Sequence, residues 1–172
     1  FFSPDASLRE NFLLWVGAIE PAKRLDRVMA LAERHGQRLV VAGEGSQSIR
    51  MRRLAGEHTT FLGRVSDERL RELYRTAAAL VQLHEEDFGI TVVEALACGC
   101  PVMVHRTGGH AEIVTDGVGV QVDAKNDDAI DDGLARLLEN IWEPAQAVTR
   151  AREFSPSVFD ERIKEAISQL GF

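Results

Sequence analysis

The sequence predicts a Rossmann-like α/β domain, a parallel sheet with helices on both faces. Three observations carry that prediction. Short runs such as Leu13-Leu14-Trp15-Val16 and Leu39-Val40-Val41-Ala42 are apolar without alternation, as strands buried on both faces must be. Between successive runs lies a single segment of helical periodicity. Glycines punctuate the ends, at Gly17, Gly36, Gly43, Gly63 and Gly99. Strand–helix–strand alternation with right-handed crossovers gives this architecture.

The elements follow in order. After the first strand, a helix is expected from about Lys23 to His35, with Leu25, Val28, Met29, Leu31 and Ala32 on one face and Gly36 as its stop. Residues 39–42 form the second strand and Gly43-Glu44-Gly45 the turn after it. A weaker helix spans Ser46 to Gly56, and Thr59-Thr60-Phe61-Leu62 is a short strand. Ser66 is a natural N-cap for a helix reaching Ala77, although Arg69 stands where a capping box has Glu. Ala79 to Leu83 is a strand, a polar loop follows from His84 to Phe88, and a helix runs from Ile90 to Cys98. Pro101-Val102-Met103-Val104 is a strand, Gly108-Gly109 precedes a short helix through Val114, and residues 119–122 are a weaker strand. Helices at Asp127 to Glu139, Pro144 to Arg152 and Ser157 to Leu170 complete the chain.

With 172 residues, the chain is long enough for one domain with its own core. A net charge of −7 gives the whole chain no electrostatic reason to favour nucleic acid or an anionic membrane. Arg50-Met51-Arg52-Arg53 is a local basic patch, read as a solvated helix face. The two cysteines, Cys98 and Cys100, are too close for an ordinary disulfide and have no second pair with which to hold zinc. They read as free thiols of a reducing compartment, and the expected location is cytoplasmic. No apolar run approaches the roughly 20 residues that span a bilayer. The first residues, Phe1-Phe2-Ser3-Pro4-Asp5, read as part of a linker over residues 1–10 that joins the domain at 11–172 to something upstream.

Ligands of an open parallel sheet bind beyond the carboxyl ends of its strands. Four loops occupy that edge: Gly17 to Arg24, Gly43 to Gln47, Gly63 to Asp67 and His84 to Thr91. The fourth is the most informative. Phe88-Gly89-Ile90-Thr91 leads straight into a helix, whose free amides and dipole make an anion site. Glu86 precedes that turn and Glu94 lies just inside the helix. Carboxylates repel a phosphate but accept hydrogen bonds from sugar hydroxyls, so this arrangement suits a diphosphate held between two sugars. His84 and His110 read as loop histidines without catalytic duty, and Glu112 as a structural group.

Glu86 and Glu94 also fit the Glu-x7-Glu motif, and the chain resembles glycosyltransferase family 4, a family of retaining enzymes with the GT-B fold. The resemblance rests on residues 86–95, Gly99-x-Pro101-Val102, Gly108-Gly109-x-x-Glu112, residues 61–66, Leu70 to Tyr74, Gly43-Glu44-Gly45 and Pro21-x-Lys23-Arg24-x-Asp26. It implies that the chain is the C-terminal, donor-binding half of a GT-B fold, with an upstream N-terminal domain that holds a glycan or lipid-linked acceptor. Peripheral membrane association would run through that upstream domain. The Lys-Arg pair and Asp87 look most like an O-antigen type, mannosyltransferase-like subgroup, which implies transfer of mannose from GDP-mannose; the donor class is a GDP- or UDP-linked hexose. By the same resemblance, Glu86 contacts the transferred sugar and Glu94 the ribose. Lys23 and the amides of Phe88, Gly89 and Ile90 hold the diphosphate, with Thr91 beside them. Gly17 and Arg24 line the donor, while Gly43, Gly45, Arg64 and Val65 border base and ribose. No cofactor and no metal are expected, in keeping with the lack of an Asp-x-Asp motif at this edge.

One position departs from the family. Its usual Gly-Arg after the first strand is Gly17-Ala18 here. Either Arg24 reaches in as a substitute, or the donor is held weakly and the domain is a non-catalytic nucleotide-sugar-binding or interaction module. A nicotinamide-dependent oxidoreductase is disfavoured, because Gly17-Ala18-Ile19-Glu20-Pro21 lacks Gly-x-Gly-x-x-Gly.

Overall fold

The computed structural model describes residues 1–5 and 9–169. Six strands form one parallel sheet: β1 (Leu13–Val16), β2 (Leu39–Ala42), β3 (Thr59–Gly63), β4 (Ala79–Gln82), β5 (Val102–His105) and β6 (Gly119–Val122). Their spatial order is β3-β2-β1-β4-β5-β6. The order reverses between β1 and β4, so the loops after these two neighbours diverge and leave a crevice at the sheet's carboxyl edge.

The helices are α1 (Leu25–Arg34), α2 (Ser48–Leu54), α3 (Asp67–Thr76), α4 (Ile90–Ala97), α5 (Gly109–Ile113), α6 (Asp127–Glu139), α7 (Pro144–Arg152) and α8 (Pro156–Gln169). Alternate residues of each strand face opposite sides. Leu14, Val16, Leu80, Val102 and Val104 pack with Leu73 and Tyr74 of α3, Val92, Ala95 and Leu96 of α4, and Ala147 and Ala151 of α7. Leu13, Trp15, Val81, Met103 and Val120 pack with Val28, Leu31 and Ala32 of α1, Met51 of α2, and Ile130 and Leu134 of α6. The central strands β1, β2, β4 and β5 are therefore covered on both sides, which is why they read as apolar runs, whereas the edge strand β3 leaves Thr60 and Leu62 exposed. The basic patch lies on α2, where Met51 is buried and Arg50, Arg52 and Arg53 are exposed.

The first helix starts two residues later than its pattern predicts. Pro21–Lys23 forms a tight 3-10 turn, and Arg24 takes a left-handed conformation (φ 49°) before α1 begins at Leu25. Helical periodicity reports the buried face; it does not report the kink that turns Lys23 back over the edge of the sheet. The expected end of the last helix at Leu170 lies outside the described residues, and α8 has no buried residue within its span. Among the described residues, no helix is long and apolar enough to cross a membrane.

Candidate functional site

The crevice at the switch point is bordered by the loops after β1 and β4. The loop after β1 bends through the 3-10 turn and delivers Lys23, whose Nζ donates to Oε2 of Glu86, the group supplied by the loop after β4. Both side chains remain partly exposed, at 28% and 29%. His84, two residues beyond β4, lies with Nε2 3.2 Å from the same Glu86 oxygen. The Lys23 hydrogen bond, aided by His84 and the amide of Asp87, pulls the Glu86 carboxyl down to about 2. Glu86 is thus a carboxylate held by an ammonium and an imidazole on one oxygen and by the Asp87 amide on the other.

Gly89 is the N-cap of α4, at φ 95°, and no side chain caps this helix. The first helical amides therefore point outward with the positive end of the helix dipole behind them, the arrangement that binds anions. The ring of His110 lies directly behind Gly89, where a Cβ would overlap its Cδ2. A glycine is needed here both for the left-handed backbone and for this close approach. Phe88 and Ile90, on either side of Gly89, are 49% and 64% exposed. Phe88 meets Phe154 edge-on at 6.2 Å between centroids. Thr91 is half-buried in the first turn.

Glu94 sits one turn further along α4, apart from Glu86. It accepts a hydrogen bond of 3.1 Å from the Tyr74 hydroxyl. Burial pushes its carboxyl above the ordinary range, against the Tyr74 hydrogen bond, which lowers it, and with help from the charge of Asp67. The helix start is accordingly flanked by two carboxylates shifted in opposite directions, Glu86 downward and Glu94 upward. Burial in the same place pushes the Tyr74 hydroxyl well above its usual value.

The other glycine loops close the neighbouring edge. Gly43 approaches Gly17 so closely that a Cβ would run into the Gly17 carbonyl. The Gly43 amide donates to the Gly63 carbonyl at 2.8 Å, and the Gly17 amide to the Ala42 carbonyl at 3.1 Å. A Cβ on Gly45 would come within 2.6 Å of the Ile19 backbone. Arg64 is exposed and Val65 half-buried at the start of the turn that Ser66 caps for α3. Arg24 pairs with Asp26 at 3.2 Å, and Ala18 is exposed. The guanidinium of Arg24 thus pairs with its own helix at the surface.

Two groups were not legible as part of this site. His84 lies in the loop after β4 as its position predicts and His110 in α5, but both are buried, at 4% and 0% exposed. Their rings meet edge-on at 5.3 Å. Burial lowers both, His110 to about 4 with the neighbouring His84 contributing. The only sequence signal was that each follows a strand, and that signal becomes specific only once β4 and β5 are known to be neighbours. Tyr74, the chain's single tyrosine, stands on α3 and reaches Glu94 through packing that periodicity does not reveal.

The family described as Glycosyl transferases group 1 matches residues 1–154. The chain belongs to this family. It is 36% identical over 155 residues to a D-inositol 3-phosphate glycosyltransferase of Mycolicibacterium smegmatis, covering 83% of this chain and 35% of that protein. It is 33% identical over 142 residues to an uncharacterized glycosyltransferase of Methanocaldococcus jannaschii, covering 76% of this chain and 36% of the relative. Among solved structures, a glycosyltransferase involved in avilamycin A biosynthesis superimposes with a TM-score of 0.77 at 26% identity, over 96% of this chain and 53% of that one. The chain therefore has the Rossmann-like fold of GT-B glycosyltransferases, and it spans about a third of the length of the curated relatives it matches.

Proposed function

We propose that the chain is the nucleotide-sugar half of a retaining glycosyltransferase, which transfers a hexose to a glycan or lipid-linked acceptor held by a further domain upstream of residue 11. The observation that carries this reading is the uncapped start of α4 at the switch point, with Lys23 on Glu86 to one side and Glu94 on Tyr74 to the other. A diphosphate at the amides of Gly89, Ile90 and Thr91 attracts Lys23, and Glu86 is then released to accept hydrogen bonds from the hydroxyls of the transferred sugar. Glu94 receives the ribose hydroxyls, while Gly17, Gly43, Gly45, Arg64 and Val65 border ribose and base. In the reaction the anomeric C–O bond to the diphosphate breaks. A new C–O bond to the acceptor hydroxyl forms on the same face of the sugar, and the hydroxyl proton passes to the departing phosphate oxygen. Lys23 and the α4 dipole stabilise the charge that develops on the diphosphate, and no metal or cofactor is required for that role. Mannose from GDP-mannose is the donor we propose, because the Lys23-Arg24 pair and Asp87 match the mannosyltransferase-like subgroup; a UDP-linked hexose is the alternative. A cytoplasmic location, with any membrane contact made by the upstream domain, fits the same reading.

The exposed Ala18 supports a second reading. With Arg24 held by Asp26, nothing replaces the family's arginine in the described structure, and the domain would then bind nucleotide sugars without catalysing transfer. Calorimetry with GDP, UDP and their sugars tests both. Under either reading Glu94→Ala weakens binding by at least about tenfold, the scale of one lost charge-assisted hydrogen bond. If no nucleotide binds, the donor-site assignment fails. Transfer activity in the chain joined to its upstream portion separates the enzyme from the silent module.

A further inference from the structure

We propose that His84, Glu86 and His110 form a site for one divalent transition-metal ion of the zinc class, and that this ion competes with Lys23 for Glu86. The ligand atoms of the three residues all lie within 4.8 Å of one another. Tetrahedral zinc, with bonds of about 2.0–2.2 Å to imidazole and carboxylate, sets its ligands roughly 3.3–3.5 Å apart, so small side-chain rotations bring the set together. The His84–Glu86 pair is already at that spacing, 3.2 Å.

The second observation is independent of that spacing. His110 is fully buried, yet neither of its ring nitrogens makes a well-formed hydrogen bond, the His84 backbone acting on it only weakly, and Nδ1 of His84 has no partner. Buried polar atoms without partners are costly and rare, and they call for a ligand. The ring of His110 is held in place, because it fills the space directly behind Gly89. The two imidazoles come from neighbouring parts of the sheet edge: His84 lies in the loop two residues beyond β4, and His110 in α5, which follows the adjacent β5.

Donor chemistry selects the ion. Two imidazoles and one carboxylate suit zinc, cobalt, nickel or copper, whereas magnesium and calcium prefer all-oxygen sets. Glu86 is the partly exposed member, so ions enter from its side, and a water molecule completes the coordination there. Lys23 donates to the Glu86 oxygen that also faces His84, so an ammonium and a dication exclude each other at this carboxylate. The ion would therefore not serve the diphosphate in the way an Asp-x-Asp metal does; it would occupy the carboxylate proposed to hold the sugar. The metal site rests on the cluster's own geometry and stands or falls independently of the sugar-transfer reading.

The test is calorimetric titration of the chelator-treated chain with Zn2+. One ion per chain is expected, with His84→Ala or His110→Ala each weakening it at least about tenfold, the lower bound set by the 10–100-fold cost of losing even an outer-shell partner. Lys23→Met, which removes the competing cation, should tighten Zn2+ severalfold. The proposal is overturned if no stoichiometric Zn2+ binds, or if His110→Ala leaves the isotherm unchanged, as it would if the exposed His35 or the half-buried His58 with their acidic neighbours held the ion. Should the buried substitutions unfold the chain, paramagnetic resonance of Cu2+ bound to wild-type protein decides. Couplings from two imidazole nitrogens support the site, and couplings from one or none reject it.

Discussion

Two carboxylates on the same helix start are tuned in opposite directions, and the tuning sets what each can do. Glu86, held near 2 by Lys23, stays ionised at any physiological pH. Glu94 is raised by burial, so the fold disfavours its charged form relative to open solution. The sign is as follows. A carboxyl raised on folding adds stability below its unfolded value of about 4.3, and that contribution is lost as pH rises through the folded value. At neutral pH the fold therefore carries a buried charge that a neutral group would not impose. Glu94→Gln, which keeps an acceptor for Tyr74, is expected to raise the melting temperature at pH 7 while weakening nucleotide binding; an unchanged or lower melting temperature would count against the burial argument. Ribose hydroxyls need the ionised acceptor, so nucleotide affinity should fall as pH is lowered through the raised value of Glu94. Tyr74→Phe removes the hydrogen bond that lowers this value, and the fall should then begin at higher pH. Calorimetry across a pH series reads this directly, and superimposable wild-type and Tyr74→Phe profiles would exclude Glu94 as the titrating group. Ala18 is the complementary case, a site lacking a charge. Ala18→Arg should restore one charge-assisted hydrogen bond of about 1.5–3 kcal/mol, tightening GDP or UDP by about ten- to a hundredfold. Guanosine and uridine, which lack the diphosphate, should bind as before.

At the level of elements, the site depends on loops that lie against each other through glycine. The Gly43 loop touches the Gly17 carbonyl with no room for a methyl group, and its φ of 147° already disfavours one. Gly43→Ala must move a backbone rather than a side chain, which is costly in a close-packed region. An overpacking cost with added backbone strain comes to roughly 2–5 kcal/mol. In a chain of this size that corresponds to a melting temperature lower by roughly 4–20 °C; a variant melting within a degree of wild type would show that the two loops separate freely. Such loop-to-loop packing also marks where sequence reading stops. The strands were legible because a parallel sheet covered on both faces writes itself as apolar runs. The uncapped start of α4 was legible because Gly89 and two carboxylates are local to that helix. The 3-10 turn at Pro21–Lys23 and the left-handed Arg24 were not, since periodicity gives a helix's buried face and not its entry angle. The His84–His110 pair was hidden for another reason: its members are 26 positions apart, and only the pairing of β4 with β5 brings them together.

Taken as a whole, the molecule presents the uncapped start of α4, the anion site we propose, on an open face. Ile90 and Phe88 at the mouth of the crevice are largely exposed, and the ion pair of Lys23 with Glu86 is reached by solvent. Group transfer from a diphosphate needs water excluded from the reacting carbon, both to strengthen the charges that stabilise the leaving group and to keep hydrolysis from competing. Nothing among the described residues covers this face, and the curated relatives are about three times as long as the aligned segment. We therefore expect the chain by itself to bind nucleoside diphosphates yet to transfer sugar at a negligible rate, even to an acceptor supplied in excess. Joined to its upstream portion, it should turn over without any increase in the number of nucleotide sites. Isothermal titration combined with a radiolabelled-sugar transfer assay on the two forms distinguishes these states. Transfer by the isolated chain at a rate comparable with the longer form would mean that the open crevice suffices for catalysis, and the requirement for a second domain would have to be abandoned.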